Sequence, residues 1–239
     1  MANGNFWLSK NVIAEDVRMP IWLASVALAV LAALMLGLSL LRGSKAQTPW
    51  RLWAFITMLY VVGPGLLVNV LLKQNWGRAR PVMVEAFGGD KLFTPPFEIA
   101  GQCSLNCSFV SGEAASAAVM VIVLAVLCRS VFPGRLRVTA YVALGGLFML
   151  ASGMRVASGR HFLSDVVFAG LFMLVLARVF YTAFGVREVN FKALWAAIRA
   201  DILGVVQLVF QLAGIATRPL QNAEVLPQSA QEKETGPVT

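Results

Sequence analysis

"IWLASVALAVLAALMLGLSLL", Ile21 to Leu41, holds no charged residue from end to end. A helix of ~20 apolar residues is long enough to cross the hydrocarbon core of a bilayer. Further along, "WAFITMLYVVGPGLLVNVLL" (Trp53 to Leu72) is broken only by Gly63-Pro64-Gly65, which neighbouring helices can accommodate. A third run starts near Ser111 and passes through "AASAAVMVIVLAVLC" to Cys128. The fourth is "VTAYVALGGLFMLASGM", Val138 to Met154, and the fifth extends from Phe162 to about Gly185. With 58% hydrophobic and 13% charged residues, the chain reads as an all-α polytopic membrane bundle. About five transmembrane helices form one domain over residues 21–186.

The termini differ from this core. Residues 1–20 carry Lys10, Glu15, Asp16 and Arg18 and read as an extramembrane segment, with no apolar stretch long enough for a signal peptide. Residues 191–218 are amphipathic. On a helix, Lys192, Arg199, Gln207, Gln211 and Arg218 share a sector of roughly 120°, with Asp201 outside it. That pattern suits a helix lying in the membrane interface, with a sixth span as the other reading. Residues 221–239 are polar and aperiodic and read as a disordered tail.

The formal charge of +8 raises the question of nucleic acid, and its distribution answers it. Arg42, Lys45 and Arg51 lie between spans one and two, and Arg129, Arg135 and Arg137 between spans three and four. Arg178, Arg187 and Lys192 sit near the end of span five. These alternate loops all lie on one side of the membrane, and basic loops mark the cytoplasmic face. The charge reports topology, and no nucleic-acid partner is expected. The loop from Lys73 to Val110 and the turn from Arg155 to His161 then share the outer face, since two spans separate them.

Both outer segments carry unusual polar residues. Each has an ordinary explanation: Lys73 and Arg78 as snorkelling cations, Ser111-Gly112-Glu113 as a capped helix start, His161 and Asp165 as an i, i+4 pair. Taken together they resemble a phosphate site. Lys73, Arg80 and Arg155 can surround a dianion, and guanidinium groups bind phosphoryl oxygens bidentately. Ser111 and Gly112 offer free N–H groups at a helix N-terminus. His161, the only histidine in the chain, beside a carboxylate has the makings of a nucleophile. No second histidine or carboxylate cluster suggests a metal, so the expected chemistry needs neither metal nor cofactor.

The same residues resemble the signature of the type 2 phosphatidic acid phosphatase superfamily: K-x6-R-P, then P-S-G-H, then S-R-x5-H-x3-D. "KQNWGRARP" follows the first motif from Lys73 to Pro81, and "RVASGRHFLSD" follows the third from Arg155 to Asp165. The resemblance covers Lys73 to about Gly185. Met154 stands where the family has serine, Val110 where it has proline, and Glu113 where it has the histidine that protonates the leaving group. Family members usually place three spans before the first motif; here two precede it.

The resemblance implies a phosphoric ester hydrolase. His161 would attack phosphorus and form a phosphohistidine, Asp165 would hold its other ring nitrogen, and Glu113 would act as acid or merely pair with a cation. Lys73, Arg80, Arg155, Ser111 and Gly112 would bind the phosphoryl oxygens. The expected substrate is a lipid phosphate in the outer-facing leaflet of a bacterial inner membrane, at a site facing the periplasm. "NCSFVSGEA" most resembles the lipid A phosphatase branch. Undecaprenyl diphosphate and phosphatidylglycerophosphate phosphatases, or a lipid-to-lipid phosphotransferase, are the alternatives within the family; a small transport or assembly protein is the alternative outside it. In the same outer loop, Cys103 and Cys107 would form a disulfide or remain as two packed thiols.

Overall fold

The structure, a computed structural model, describes residues 6, 8, 12–43, 49–189 and 193–212 of the 239. The expected tail over 221–239 lies outside these residues, as do 191–192 and 213–218 of the expected last helix. The helices are α1 (Val12–Arg42), α2 (Trp50–Asn75), α3 (Gly112–Val131), α4 (Gly134–Ala157), α5 (Leu163–Ala183) and α6 (Leu194–Leu212). No strand occurs among the described residues. The chain is an all-α bundle, and α1 to α5 are each long and apolar enough to cross a membrane.

The amino-terminal helix is longer than the apolar pattern suggests. It begins at Val12 and passes through Pro20, whereas the apolar stretch read as the span begins at Ile21. Its extra turns are polar but partnered: Arg18 Nε donates to Glu15 at 2.8 Å, one turn away. The second helix changes its winding where Gly63-Pro64-Gly65 interrupts it. The α-helical Trp50–Tyr60 gives way to a π-helical stretch, Val61–Leu72, which ends in a short α-turn, Lys73–Asn75. Proline lacks an amide donor and crowds the preceding turn, and a wider winding relieves both. Gly63 lets the two helices approach closely: a Cβ there would lie 2.6 Å from Met173 Sδ of α5, which would have to move.

Helix α3 is the centre of the bundle and contacts α1, α2, α4 and α5. Its small residues Ala114, Ala115, Ala117 and Ala118 are buried together with Val119 and Val123. Small side chains let membrane helices approach closely, which compensates for the weak hydrophobic drive between helices in lipid. One polar stitch crosses this interior. Ser25 Oγ of α1 lies 3.0 Å from the Tyr60 hydroxyl of α2 and donates to the Ser116 carbonyl of α3 at 3.0 Å. Residues such as Leu34, Val142, Met149 and Val175 remain exposed on the outside, where a bilayer would cover them.

Helix α6 packs Leu194 and Ile198 against the core. Asp201, the residue that broke its amphipathic pattern, is buried. Arg42, the last residue of α1, donates to the Asp201 carbonyl at 2.8 Å and lies 3.6 Å from its carboxylate. The middle of α6 therefore sits level with the end of α1.

Candidate active site

Three segments meet at one end of the bundle: the residues after α2, the start of α3, and the turn between α4 and α5. Backbone hydrogen bonds join them. Val82 N donates to Gly159 O at 3.1 Å, Ser108 N to Arg78 O at 2.9 Å, and Ser111 N to Asp165 O at 3.4 Å. The turn carrying His161 is wound back on the end of α4, with the amides of both Arg160 and His161 donating to Arg155 O at 3.1 and 3.3 Å. On the other segment, Gly77 is indispensable. Its φ is +62°, and a Cβ would lie 1.6 Å from the carbonyl oxygen of Ala100.

His161 is 2% exposed, and its Nδ1 lies 2.8 Å from the backbone carbonyl of Ser108. A carbonyl oxygen only accepts, so Nδ1 carries the proton and Nε2 carries the lone pair. Burial drives the imidazole pKa well below its ordinary value. The charges of Arg155 and Lys73, and then of Arg80, push the same way, against the bond to Ser108. At neutral pH the ring is uncharged.

Asp165 differs from its expected place. Its Oδ2 lies 3.9 Å from His161 Nδ1, beyond hydrogen-bonding distance. The carboxylate instead accepts from Arg78 Nη1, from the Ser108 hydroxyl at 2.5 Å and from Phe162 N at 2.9 Å. The ring nitrogen that the sequence assigns to Asp165 belongs to the Ser108 carbonyl, and Asp165 secures Ser108 from its side chain.

Arg78 is not a snorkelling cation. It is 1% exposed and bonded on every side: to Asp165, to the Thr94 carbonyl at 2.8 Å and to the Ser164 hydroxyl at 3.0 Å. Its guanidinium also lies 4.2 Å from the centre of the Phe162 ring. Burial lowers its pKa and Asp165 raises it; a guanidinium stays protonated in either case.

The remaining expected residues gather around His161. Lys73 Nζ donates to Asn106 Oδ1 at 3.3 Å, and Arg80 Nη2 donates to the Asn106 carbonyl at 2.9 Å. Burial lowers the Arg80 pKa, and the neighbouring charges of Arg160 and Arg155 lower it further. Ser111 caps α3 by accepting from Ala114 N at 3.3 Å, which leaves its hydroxyl proton free to donate. Gly112 approaches so closely that a Cβ would lie 2.9 Å from Asn69 Oδ1 and 3.4 Å from Lys73 Nζ. Glu113 Oε1 lies 3.1 Å from Arg18 Nη1 and 3.4 Å from Arg155 Nη2. Arg155 Nε is shut off from solvent without a protein acceptor. Cys103 and Cys107 are joined by a disulfide, with Cα atoms 5.6 Å apart.

Arg18, Asn106 and Ser108 were not anticipated, and Arg78 was read differently. Arg18 lies too far away in sequence for any motif to reach it. Ser108 acts through a backbone carbonyl, which every residue type possesses. The pattern "GRAR" does present Arg78 beside Arg80, but only its burial against Asp165 shows its task.

Cations thus surround a neutral, tautomer-fixed imidazole. The model of the PAP2 superfamily matches residues 51–188, and the chain belongs to that superfamily. It is similar to the lipid A 4'-phosphatase of Francisella tularensis subsp. novicida (strain U112), with 45% identity over 127 residues, 53% of this chain and 55% of that one. It is also similar to the lipid A 4'-phosphatase of Rhizobium leguminosarum, 44% identical over 117 residues, 48% of each chain. The Rhizobium etli (strain ATCC 51251 / DSM 11541 / JCM 21823 / NBRC 15573 / CFN 42) protein of that name is 44% identical over 117 residues, 48% of this chain and 43% of its own. The chain spans about half the length of the curated relatives it matches. No solved structure matches it.

Proposed function

We propose that this chain is a membrane phosphatase that removes phosphate from a lipid of the lipid A type through a phosphohistidine on His161. One observation carries this reading: the Ser108 carbonyl holds Nδ1 at 2.8 Å, so the Nε2 lone pair is kept for attack among Lys73, Arg80 and Arg155. In the reaction Nε2 forms a bond to phosphorus as the bond to the lipid oxygen breaks. The three cations, the Ser111 hydroxyl and the Gly112 amide take the charge on the equatorial oxygens. Water then cleaves the phosphohistidine, releasing inorganic phosphate and regenerating the imidazole.

Asp165 acts at one remove in this scheme. It fixes Ser108 and neutralises Arg78, and Ser108 in turn sets the ring. Glu113 stands between the guanidinium groups of Arg18 and Arg155; it serves as the counter-ion that places Arg155, and the leaving oxygen takes its proton from water. The substrate class is supported by the names of the three relatives. Basic loops at the opposite end of the helices support a periplasm-facing site in a bacterial inner membrane, acting on the outer-facing leaflet. The contact between Asp201 and Arg42 supports an interfacial α6, because a spanning helix would not have its middle level with the end of α1.

The test offers purified protein a panel of lipid phosphates, including a phosphorylated lipid A, in the presence of EDTA. Wild type is expected to release inorganic phosphate, with vanadate inhibiting, and His161→Ala and Arg155→Ala to insert normally but turn nothing over. Phosphate release by His161→Ala at the wild-type rate would falsify the mechanism. A newly phosphorylated lipid in place of free phosphate would identify a transferase.

A further inference from the structure

Asn106 touches two of the three cations that surround His161. Its side-chain oxygen accepts from Lys73 and its backbone oxygen from Arg80, at 3.3 and 2.9 Å. We propose that Asn106 is a positioning residue for phosphate binding, and that the Cys103–Cys107 disulfide holds it in place. The inference rests on the phosphatase reading and deepens it.

Lys73 and Arg80 are like charges that must stay side by side before any anion arrives. They repel each other, and an unbraced lysine would swing toward water. Asn106 braces both with neutral oxygens. A carboxylate in this position would brace them equally well, but it would cancel charge that the phosphate has to meet. An amide holds the pair without competing for it. Lys73 retains two further donors and Arg80 the rest of its guanidinium for the ligand.

The backbone gives a second, independent reason. Asn106 has φ of +52° and is the one non-glycine residue with positive φ among the described residues. Asparagine tolerates this left-handed conformation better than most side chains. In the tight loop closed by the disulfide, that turn is what accompanies the carbonyl meeting Arg80. The feet of the loop are tied to the motif segment itself: Ala100 N donates to Trp76 O, Gln102 N to Gly77 O and Ser108 N to Arg78 O, at 2.9, 3.0 and 2.9 Å. The disulfide closes the remaining freedom between Gln102 and Ser108, so Asn106 has a single place to stand.

The experiment compares wild type with Asn106→Gly, Asn106→Asp, Cys103→Ser/Cys107→Ser and the combination of the serine pair with Asn106→Gly. KM for a lipid phosphate, vanadate Kd by calorimetry and Tm are measured on the full chain in nanodiscs. Glycine keeps the turn and the backbone oxygen and removes only the acceptor for Lys73. It is expected to raise KM and vanadate Kd about tenfold, as the loss of one hydrogen bond to a charged group does, with Tm held. Aspartate should raise both by a similar factor although it pairs the cations more strongly. The serine pair should also weaken vanadate, and add little on top of Asn106→Gly. Unchanged vanadate Kd in the glycine and aspartate variants overturns the proposal, as does a fall in Tm alone or full additivity of the loop and asparagine effects. If wild type binds vanadate but releases no phosphate from any lipid, the phosphatase reading falls, and the Kd ratios still judge Asn106.

Discussion

Arg18 and Glu113 stand 95 positions apart in the chain and meet at 3.1 Å. Glu113 occupies the place of the family's acid-donating histidine, and Arg18 comes from the polar start of α1, beyond the reach of the motifs. A substitution in the motif and a cation outside it thus form one ion pair. Arg155, 3.4 Å from the same carboxylate oxygen, completes the group.

The pairing predicts the outcome of Glu113→Gln. Glutamine keeps an oxygen facing Arg18 and Arg155 but can supply no proton. With Glu113 as a counter-ion, hydrolysis of a lipid phosphate monoester should fall by less than about tenfold, the scale of one ion-pair contact. Loss of monoester turnover with diphosphate hydrolysis spared would instead make Glu113 the acid, because a phosphate leaving group needs little help to depart. Turnover of both substrates by the purified variant decides between these roles.

His161 sets the pH dependence. Its folded-state pKa is depressed, first by burial and then by the charges of Arg155 and Lys73. The ring therefore stays neutral below the ordinary imidazole value of about 6.5, and with His161 as the proposed nucleophile the acid limb of kcat/KM should lie below that pH. Stability follows the same sign. The unfolded chain takes up a proton below about pH 6.5 that the folded ring refuses, so this contribution is fully present above that pH. It is lost as pH falls from there through the depressed value. Thermal melts across this window should show a shallower decline for His161→Gln than for wild type; parallel curves would remove His161 as the cause.

Arg78 and Asp165 form a fully buried ion pair, with exposures of 1% and 0%. Removing one partner leaves an uncompensated charge, and Arg78→Ala should cost about 3–5 kcal/mol. Turnover should fall as well, because Asp165, which holds the Ser108 hydroxyl, loses its own partner and is left as a buried unpaired charge beside His161. Chemical denaturation and activity of the surviving folded fraction test both parts. Wild-type stability of the variant would show the pair to be dispensable.

The thiols report topology. Cys103 and Cys107 are joined, whereas Cys128, near the far end of α3, is free and partly exposed. A membrane-impermeant thiol reagent applied from the periplasmic side should label Cys103 only after reduction, and should never label Cys128. Labelling of Cys128 from that side would reverse the proposed orientation.

The helices and the site's main residues were legible in the sequence for a physical reason. A span of apolar residues has few other places to go than a bilayer, and basic loops then set which ends lie together. Motif spacing placed Lys73, Arg80, Arg155 and His161 at those shared ends. Tertiary structure decided what holds them. The hydrogen-bond partner of His161 is a backbone carbonyl, invisible to any reading of side-chain types. The carboxylate expected to hold the ring is 3.9 Å away, securing Arg78 and Ser108. Arg78 looked like a surface cation because charge alone does not reveal burial, and Arg18 looked like part of an extramembrane segment because its partner lies 95 residues along the chain. Sequence local to each motif specified which groups are present; only the packing of α1, α3 and the disulfide-closed loop around them determined which charges are paired with one another.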